Sequence, residues 1–176
     1  MKNTTTLILV CLLFSLTIHS QNDFEKLWTV VEKYEVENLP KSALKIVENI
    51  YSKSQKEVNS PQLIKALFYK SKYSLTLKED AQLKVIHQFK HHIAKTKFPT
   101  KNVLENILAN LYWQYFTQNR YKFYNRTNAA SSSVISKGDF RTWDLNTLFK
   151  EINHYFKASL KEETALQEIN IDAFSD

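Results

Sequence analysis

The fold is decided by residues 23–51, which read DFEKLWTVVEKYEVENLPKSALKIVENIY. The first half places apolar side chains at the i, i+3, i+4, i+7 spacing of an amphipathic helix: Phe24, Leu27, Trp28, Val31 and Tyr34. Asn22 and Glu25 have the form of a capping box, in which each side chain binds a free backbone N–H of the first turn. The pattern therefore predicts a helix near 23–37, and Leu39-Pro40 prevents it from continuing.

Pro40 fits the first turn of a second helix, because its missing N–H would have no partner there. The inward face of that helix is predicted to be Ala43, Leu44, Val47, Ile50 and Tyr51. Two helices joined by so short a turn form a hairpin. The proline signal recurs at Ser60-Pro61, where Ser60 is the expected N-cap, and at Pro99-Thr100.

Four further helices follow from these signals and from apolar spacing. A third begins at Ser60-Pro61, a fourth runs from about Asp80 to Lys95, a fifth begins at Pro99-Thr100, and a last one covers about 144–161. Their predicted inward residues are, on the third helix, Leu63, Ile64, Leu67, Phe68, Ser71 and Leu75; on the fourth, Leu83, Ile86, Phe89 and Ile93; on the fifth, Val103, Leu104, Ile107, Leu108, Leu111, Tyr112, Tyr115 and Phe116; and on the last, Leu145, Leu148, Ile152, Phe156 and Leu160. Odd helices recur at roughly 40 residues, a spacing typical of helix-pair repeats.

The predicted fold class is therefore all-α, with about six main helices in antiparallel hairpins that form a short tetratricopeptide-like stack. A polar loop interrupts it near 125–138, where Ser131-Ser132-Ser133 and Gly138 lie in a stretch without apolar periodicity. Asn125-Arg126-Thr127 within it matches a glycosylation acceptor.

Glycine is scarce, since the 176 residues include one Gly and three Pro. Phosphate-binding loops need several glycines so that backbone amides can approach the ligand, which excludes P-loop and dinucleotide-binding enzymes. The same scarcity disfavours a β fold rich in tight hairpins.

Residues 1–20 have the order of regions of a cleavable secretory signal. Lys2 is followed by an apolar core over Leu7 to Ile18, and cleavage is predicted between Ser20 and Gln21. A buried N-terminal helix and a lipoprotein acylated at Cys11 are the alternatives, but Val10 stands where a lipoprotein needs a small residue. We expect an exported chain, periplasmic or associated with the cell envelope, whose residues 21–176 form a single helical domain without cysteine or transmembrane anchor.

The formal net charge of +6 would suit an anionic partner. Lysines alternate with glutamates, however, as in Glu32-Lys33 and Lys56-Glu57, which is typical of solvated helix faces. Nucleic acid is therefore not an expected partner, and export weakens that reading further.

Catalytic and metal chemistry have little support in the sequence. His87 and His91 lie four residues apart on a predicted helix and are weak metal candidates, yet no third ligand is indicated and Gln88 replaces the glutamate of zinc proteases. Adjacent carboxylates such as Glu162-Glu163 do not face one another on a helix. We expect no metal, no cofactor and no enzymatic activity.

The strongest candidate site is residues 111–126, in which aromatic residues alternate with Arg and Lys. Helical spacing sends Leu111, Tyr115 and Phe116 toward the core. The candidate binding residues are Trp113, Arg120, Tyr121, Tyr124, Arg126, Arg141 and Trp143. Core packing of these aromatic side chains is the competing interpretation.

Four segments resemble the N-terminal region of large bacterial alpha-2-macroglobulin-like proteins: Leu39 to Leu44, Ser60 to Leu67, Leu108 to Phe116 and Asp139 to Leu145. The resemblance covers roughly 24–174. It implies an exported helical module that, in the family, precedes an array of macroglobulin β-domains associated with protease trapping. That array is missing from this sequence, and residues 21–176 contain no cysteine for a thioester, so trapping chemistry is not carried over to any residue.

The predicted function is therefore a non-catalytic exported accessory module, either a truncated gene product or part of a longer trap. Its expected partner is a protein or a neighbouring macroglobulin domain. Two alternatives stay open: an envelope module that binds glycan or peptide through its aromatic residues, and a small exported hydrolase with an unassigned carboxylate.

Overall fold

A computed structural model describes residues 23–78, 80–126 and 138–170, and within these residues every regular element is helical. The all-α prediction is confirmed. The α-helices are α1 (23–36), α2 (Pro40–Lys56), α3 (Ser60–Leu77), α4 (Ala81–Lys95), α5 (Thr100–Arg126), α6 (Leu145–Ser159) and α7 (Glu163–Gln167), with a 3-10 helix over Phe140–Thr142. The proposed signal over 1–20, Cys11 and the Asn22 capping residue lie outside the described residues.

The chain divides into two compact units, the first ending at Leu77 and the second beginning at Lys78. The first contains α1 to α3 and the second contains α4 to α7. The domain predicted over 21–176 thus comprises two units. None of the described helices is long and apolar enough to cross a membrane.

The first unit is built from two helix connections of the same design. Asn38 and Val58 both have positive φ, 54° and 53°. Each lets the following N–H bind back into the preceding helix, from Leu39 to the Tyr34 carbonyl at 2.8 Å and from Asn59 to the Ser54 carbonyl at 2.9 Å. This is the left-handed helix ending that asparagine tolerates and a β-branched valine does not favour.

The helix starts after these connections agree with the proline signals. Pro40 lies in the first turn of α2, as predicted. The predicted Ser60 cap is wrong by one residue, because Asn59 Oδ1 accepts the hydrogen bond from the Gln62 N–H at 3.1 Å and Ser60 is already helical. The core of the unit contains Phe24, Trp28, Val31, Ala43, Val47, Ile50, Ala66 and Tyr73.

In the second unit, α5 packs against both α4 and α6. Asp144 caps α6, since its Oδ1 accepts a hydrogen bond from the Thr147 N–H at 2.6 Å. The other end of α6 is tied to α5 by Asn102, whose amide donates to the carbonyls of Ser159 at 3.2 Å and Lys161 at 2.9 Å. Side chains therefore bind free backbone groups at both ends of the helix.

Three predicted inward residues are wrong. Phe68 and Leu75 on α3 are 49% and 37% exposed, and Leu160 is 65% exposed. Leu160 follows the last residue of α6, so it no longer shares that helix's inward face. The predicted loop also begins too early, because α5 continues to Arg126; its residues 127–137 lie outside the described part.

Candidate functional site

A partly exposed aromatic surface lies where α5 meets α6. Trp113 is 42% exposed, and its ring centroid is 5.5 Å from that of Phe116 and 5.9 Å from that of Phe149. Phe116 and Phe149 contact each other edge to face at 5.0 Å, and both are half-buried. We call Trp113, Phe116 and Phe149 the α5–α6 aromatic surface. The two phenylalanines fix the indole while leaving part of it in solvent.

Arg120 and Tyr121 continue along α5 beyond this surface. Tyr121 is 71% exposed, and the Arg120 guanidinium carbon lies 5.3 Å from its ring centroid, within the range of a cation–π contact. At the rise of an α-helix, Tyr121 is about 12 Å along the axis from Trp113. Arg120 is seven residues from Trp113 and thus lies on nearly the same face of α5.

Two other candidate residues, Tyr124 and Arg126, lie near the end of α5. Their side chains lie outside the described part of the chain, as does Thr127 of the glycosylation acceptor.

Trp143 was predicted as a contact residue, and the structure places it in the core of the second unit, 7% exposed. The 3-10 helix that precedes it turns Phe140 and Trp143 toward the same side, with both rings against Tyr112 at centroid distances of 5.2 and 6.0 Å. The burial comes from this short helix, which apolar spacing alone did not predict.

Arg141 is bound by carboxylates of its own unit. Its guanidinium donates to Asp139 through Nε at 2.9 Å and Nη2 at 2.8 Å, and Nη1 lies 3.2 Å from Asp80. The hydrogen bond from Arg141 holds the pKa of Asp139 below its usual value, while Asp139 raises the pKa of Arg141. Arg141 therefore fastens the segment before α6 rather than presenting an unengaged cation.

The histidine pair has no third metal ligand beside it among the described residues. His87 and His91 are both exposed on α4, and His87 Nε2 lies 3.3 Å from the Gly138 carbonyl oxygen. The described residues contain no group of three side chains from His, Cys, Asp and Glu placed to hold a metal ion. The adjacent His92 is buried.

One carboxylate has the environment that a general acid would need. The Glu105 side chain on α5 is 8% exposed and lies 3.9 Å from the Lys101 ammonium. Burial raises the pKa of Glu105, while Lys101, Lys161 and His154 act in the opposite direction. Its small exposed area gives a substrate little access, so this observation favours a structural role.

Sequence reasoning missed two groups. Phe149 completes the α5–α6 aromatic surface, and Lys90 forms an ion pair with Glu151 at 2.7 Å. Lys90 and Glu151 are 61 residues apart, so no local pattern could have paired them. Phe149 follows Leu148 of the inward face and was detectable only as an apolar residue at the edge of that face.

Comparison with known proteins identifies no relative of this chain. No protein-family model, curated protein or solved structure matches this chain.

Proposed function

We propose that this chain is a non-catalytic interaction module that binds a protein partner through the α5–α6 aromatic surface. The observation that carries the proposal is the 42% exposure of Trp113 on a base of two phenylalanines. Tryptophan, tyrosine and arginine are the residues that most often dominate interface energies. An indole held in one orientation also loses little further conformational freedom on binding.

The charge beside this surface indicates the partner's chemistry. From Trp113 to Arg126 the sequence contains no Asp or Glu and three basic residues, Arg120, Lys122 and Arg126. Arg120 and Lys122 are exposed. A partner that places an apolar side chain on Trp113 and carboxylates near Arg120 would be complementary in both respects.

We propose further that the chain acts outside the cytoplasm beside macroglobulin-type domains. The signal-like order of residues 1–20 and the resemblance to the N-terminal region of alpha-2-macroglobulin-like proteins support this assignment. The resemblance implies a helical module, and the described residues are helical throughout their regular elements. Absence of macroglobulin-coding sequence downstream of the gene or nearby would count heavily against this part of the proposal.

Glycan binding is the second candidate, because the same exposure favours it. Trp113 and Tyr121 are both in solvent, and sugar rings stack on exposed aromatic faces in the way that bases do. A glycan would use the faces of Trp113 and Tyr121 without requiring carboxylates near Arg120.

One calorimetric experiment separates the two candidates. Residues 21–176 are titrated with a bacterial macroglobulin-domain protein and, separately, with soluble peptidoglycan fragments. Saturable binding of the protein alone supports the proposal, and binding of the fragments alone supports the glycan candidate. Failure of both to bind contradicts both.

A further inference from the structure

The Lys90 ammonium lies against three aromatic rings and one carboxylate. Nζ lies 5.7 Å from the ring centroids of Tyr112 and Trp143, 5.8 Å from that of Tyr155, and 2.7 Å from Glu151 Oε1. We call the four residues around Lys90 the lysine box. All five residues belong to the second unit and come from α4, α5, α6 and the residue after the 3-10 helix.

This composition suits an ammonium group. Each ring offers the negative face of its π system within about 6 Å, the range in which a cation is attracted. The carboxylate supplies a charge-assisted hydrogen bond, for which the 2.7 Å separation is typical. The ring faces attract both methylated and primary ammonium groups. The carboxylate favours an ammonium that retains an N–H to donate.

The rings are held in place without the lysine. Tyr112 is fully buried and Trp143 is 7% exposed, and Tyr112 stacks on Trp143 and Tyr155 at interplanar angles of 27° and 22°. Phe140 supports Tyr112 and Trp143 edge to face. Removing the Lys90 side chain therefore leaves most of the box intact.

The box is also open to solvent at the lysine. The side chains of Lys90 and Glu151 are 34% and 26% exposed. We propose that the lysine box is a binding site for an ammonium group, with Lys90 as its resident ligand. The lysine box shares no residue with the α5–α6 aromatic surface, so its test does not depend on the proposed function.

The test replaces the resident ligand with a free one. Lys90→Ala is titrated with methylammonium, tetramethylammonium and Nα-acetyllysine amide at constant ionic strength, and the three tryptophan indole N–H signals are followed by NMR. We expect a saturable shift of the Trp143 signal alone. Because a tethered lysine competes at a high effective concentration, the wild-type chain should bind at least about tenfold more weakly. Preference for methylammonium or for the lysine amide distinguishes a small amine from a peptide side chain.

Two variants serve as controls. Lys65→Ala removes an ammonium that lies 4.7 Å from the Trp28 ring centroid. The Trp28 signal should stay unmoved in this variant, because among the described residues Trp28 is the one ring that lies against Lys65. Adding Glu151→Gln to Lys90→Ala should weaken methylammonium more than tetramethylammonium. A folded Lys90→Ala whose Trp143 signal does not saturate with any of the three ligands overturns the proposal, as does an equal response of Trp28 in Lys65→Ala. If Lys90→Ala does not fold, recovery of helical circular dichroism with methylammonium supports the proposal and failure to recover overturns it.

Discussion

Tyr112→Phe should stabilise the protein. Tyr112 is fully buried, and its hydroxyl has no hydrogen-bond partner among the described residues. A buried polar group without a partner costs roughly 1–3 kcal/mol. Phenylalanine removes that group and retains the ring that contacts Phe140, Trp143 and Lys90. Allowing for the small cavity left by the oxygen, we expect a gain of about 1 kcal/mol in the free energy of unfolding.

Urea unfolding followed by circular dichroism measures this change. Tyr121→Phe is the matched control: its ring is 71% exposed, and we expect a change within about 0.5 kcal/mol. Burial also raises the pKa of the Tyr112 hydroxyl above its ordinary value of about 10. The folded state therefore favours the neutral phenol, and wild-type stability should fall at alkaline pH as the unfolded chain ionises, less so in Tyr112→Phe. A loss of stability in Tyr112→Phe would show that the hydroxyl has a partner and refute the reasoning.

Substitutions at three further positions test the account of the fold. Val58→Gly should raise stability by about 0.5–1 kcal/mol, because Val58 is 84% exposed at a φ of 53° that glycine adopts without strain; a lower urea midpoint would contradict this. Asp144→Ala should cost about 1 kcal/mol through loss of the α6 cap, while Asp144→Asn should retain most of it. The Thr147 N–H lowers the pKa of Asp144. The stability contributed by the Asp144 charge should therefore be present above the ordinary pKa of aspartate and be lost as the pH falls through the lowered pKa. If Asp144→Asn loses stability in acid as much as wild type does, this reasoning is wrong. Glu105→Gln should unfold at a higher urea concentration than wild type at neutral pH. Burial raises the pKa of Glu105, so the stability contributed by the neutral carboxyl group is lost as the pH rises through that pKa. The difference between the two proteins should disappear below the ordinary pKa of glutamate, and a less stable Glu105→Gln at neutral pH would be inconsistent with the buried charge.

The helices could be predicted because their boundaries depend on local chemistry. Pro40 and Pro61 both lie in first turns, and Asp144 caps α6. These effects act within a few residues along the chain, and so they can be recognised in the sequence. Residues at the edges of helices were less predictable: Leu160 fits the apolar spacing of α6 but lies beyond the last helical residue.

The candidate site could be predicted only in part. Of the two interpretations that the sequence left open, surface contact fits Trp113 and Tyr121, which are exposed, whereas core packing fits Trp143, which a 3-10 helix turns onto Tyr112. The pairing of Lys90 with Glu151 depends on how α4 and α6 are arranged within the second unit. Contacts of that kind join residues far apart in sequence, which neither spacing nor composition specifies.

The central claim is that the α5–α6 aromatic surface binds a protein partner, and the affinity of Trp113→Ala tests it most directly. Phe68→Ala is the matched control, since Phe68 is 49% exposed and belongs to the first unit. By calorimetry with a macroglobulin-domain protein, the partner proposed above, we expect Trp113→Ala to lose about 2 kcal/mol of binding free energy, roughly 30-fold in affinity, and Phe68→Ala to bind as wild type does. Equal affinity of Trp113→Ala and wild type would contradict the account.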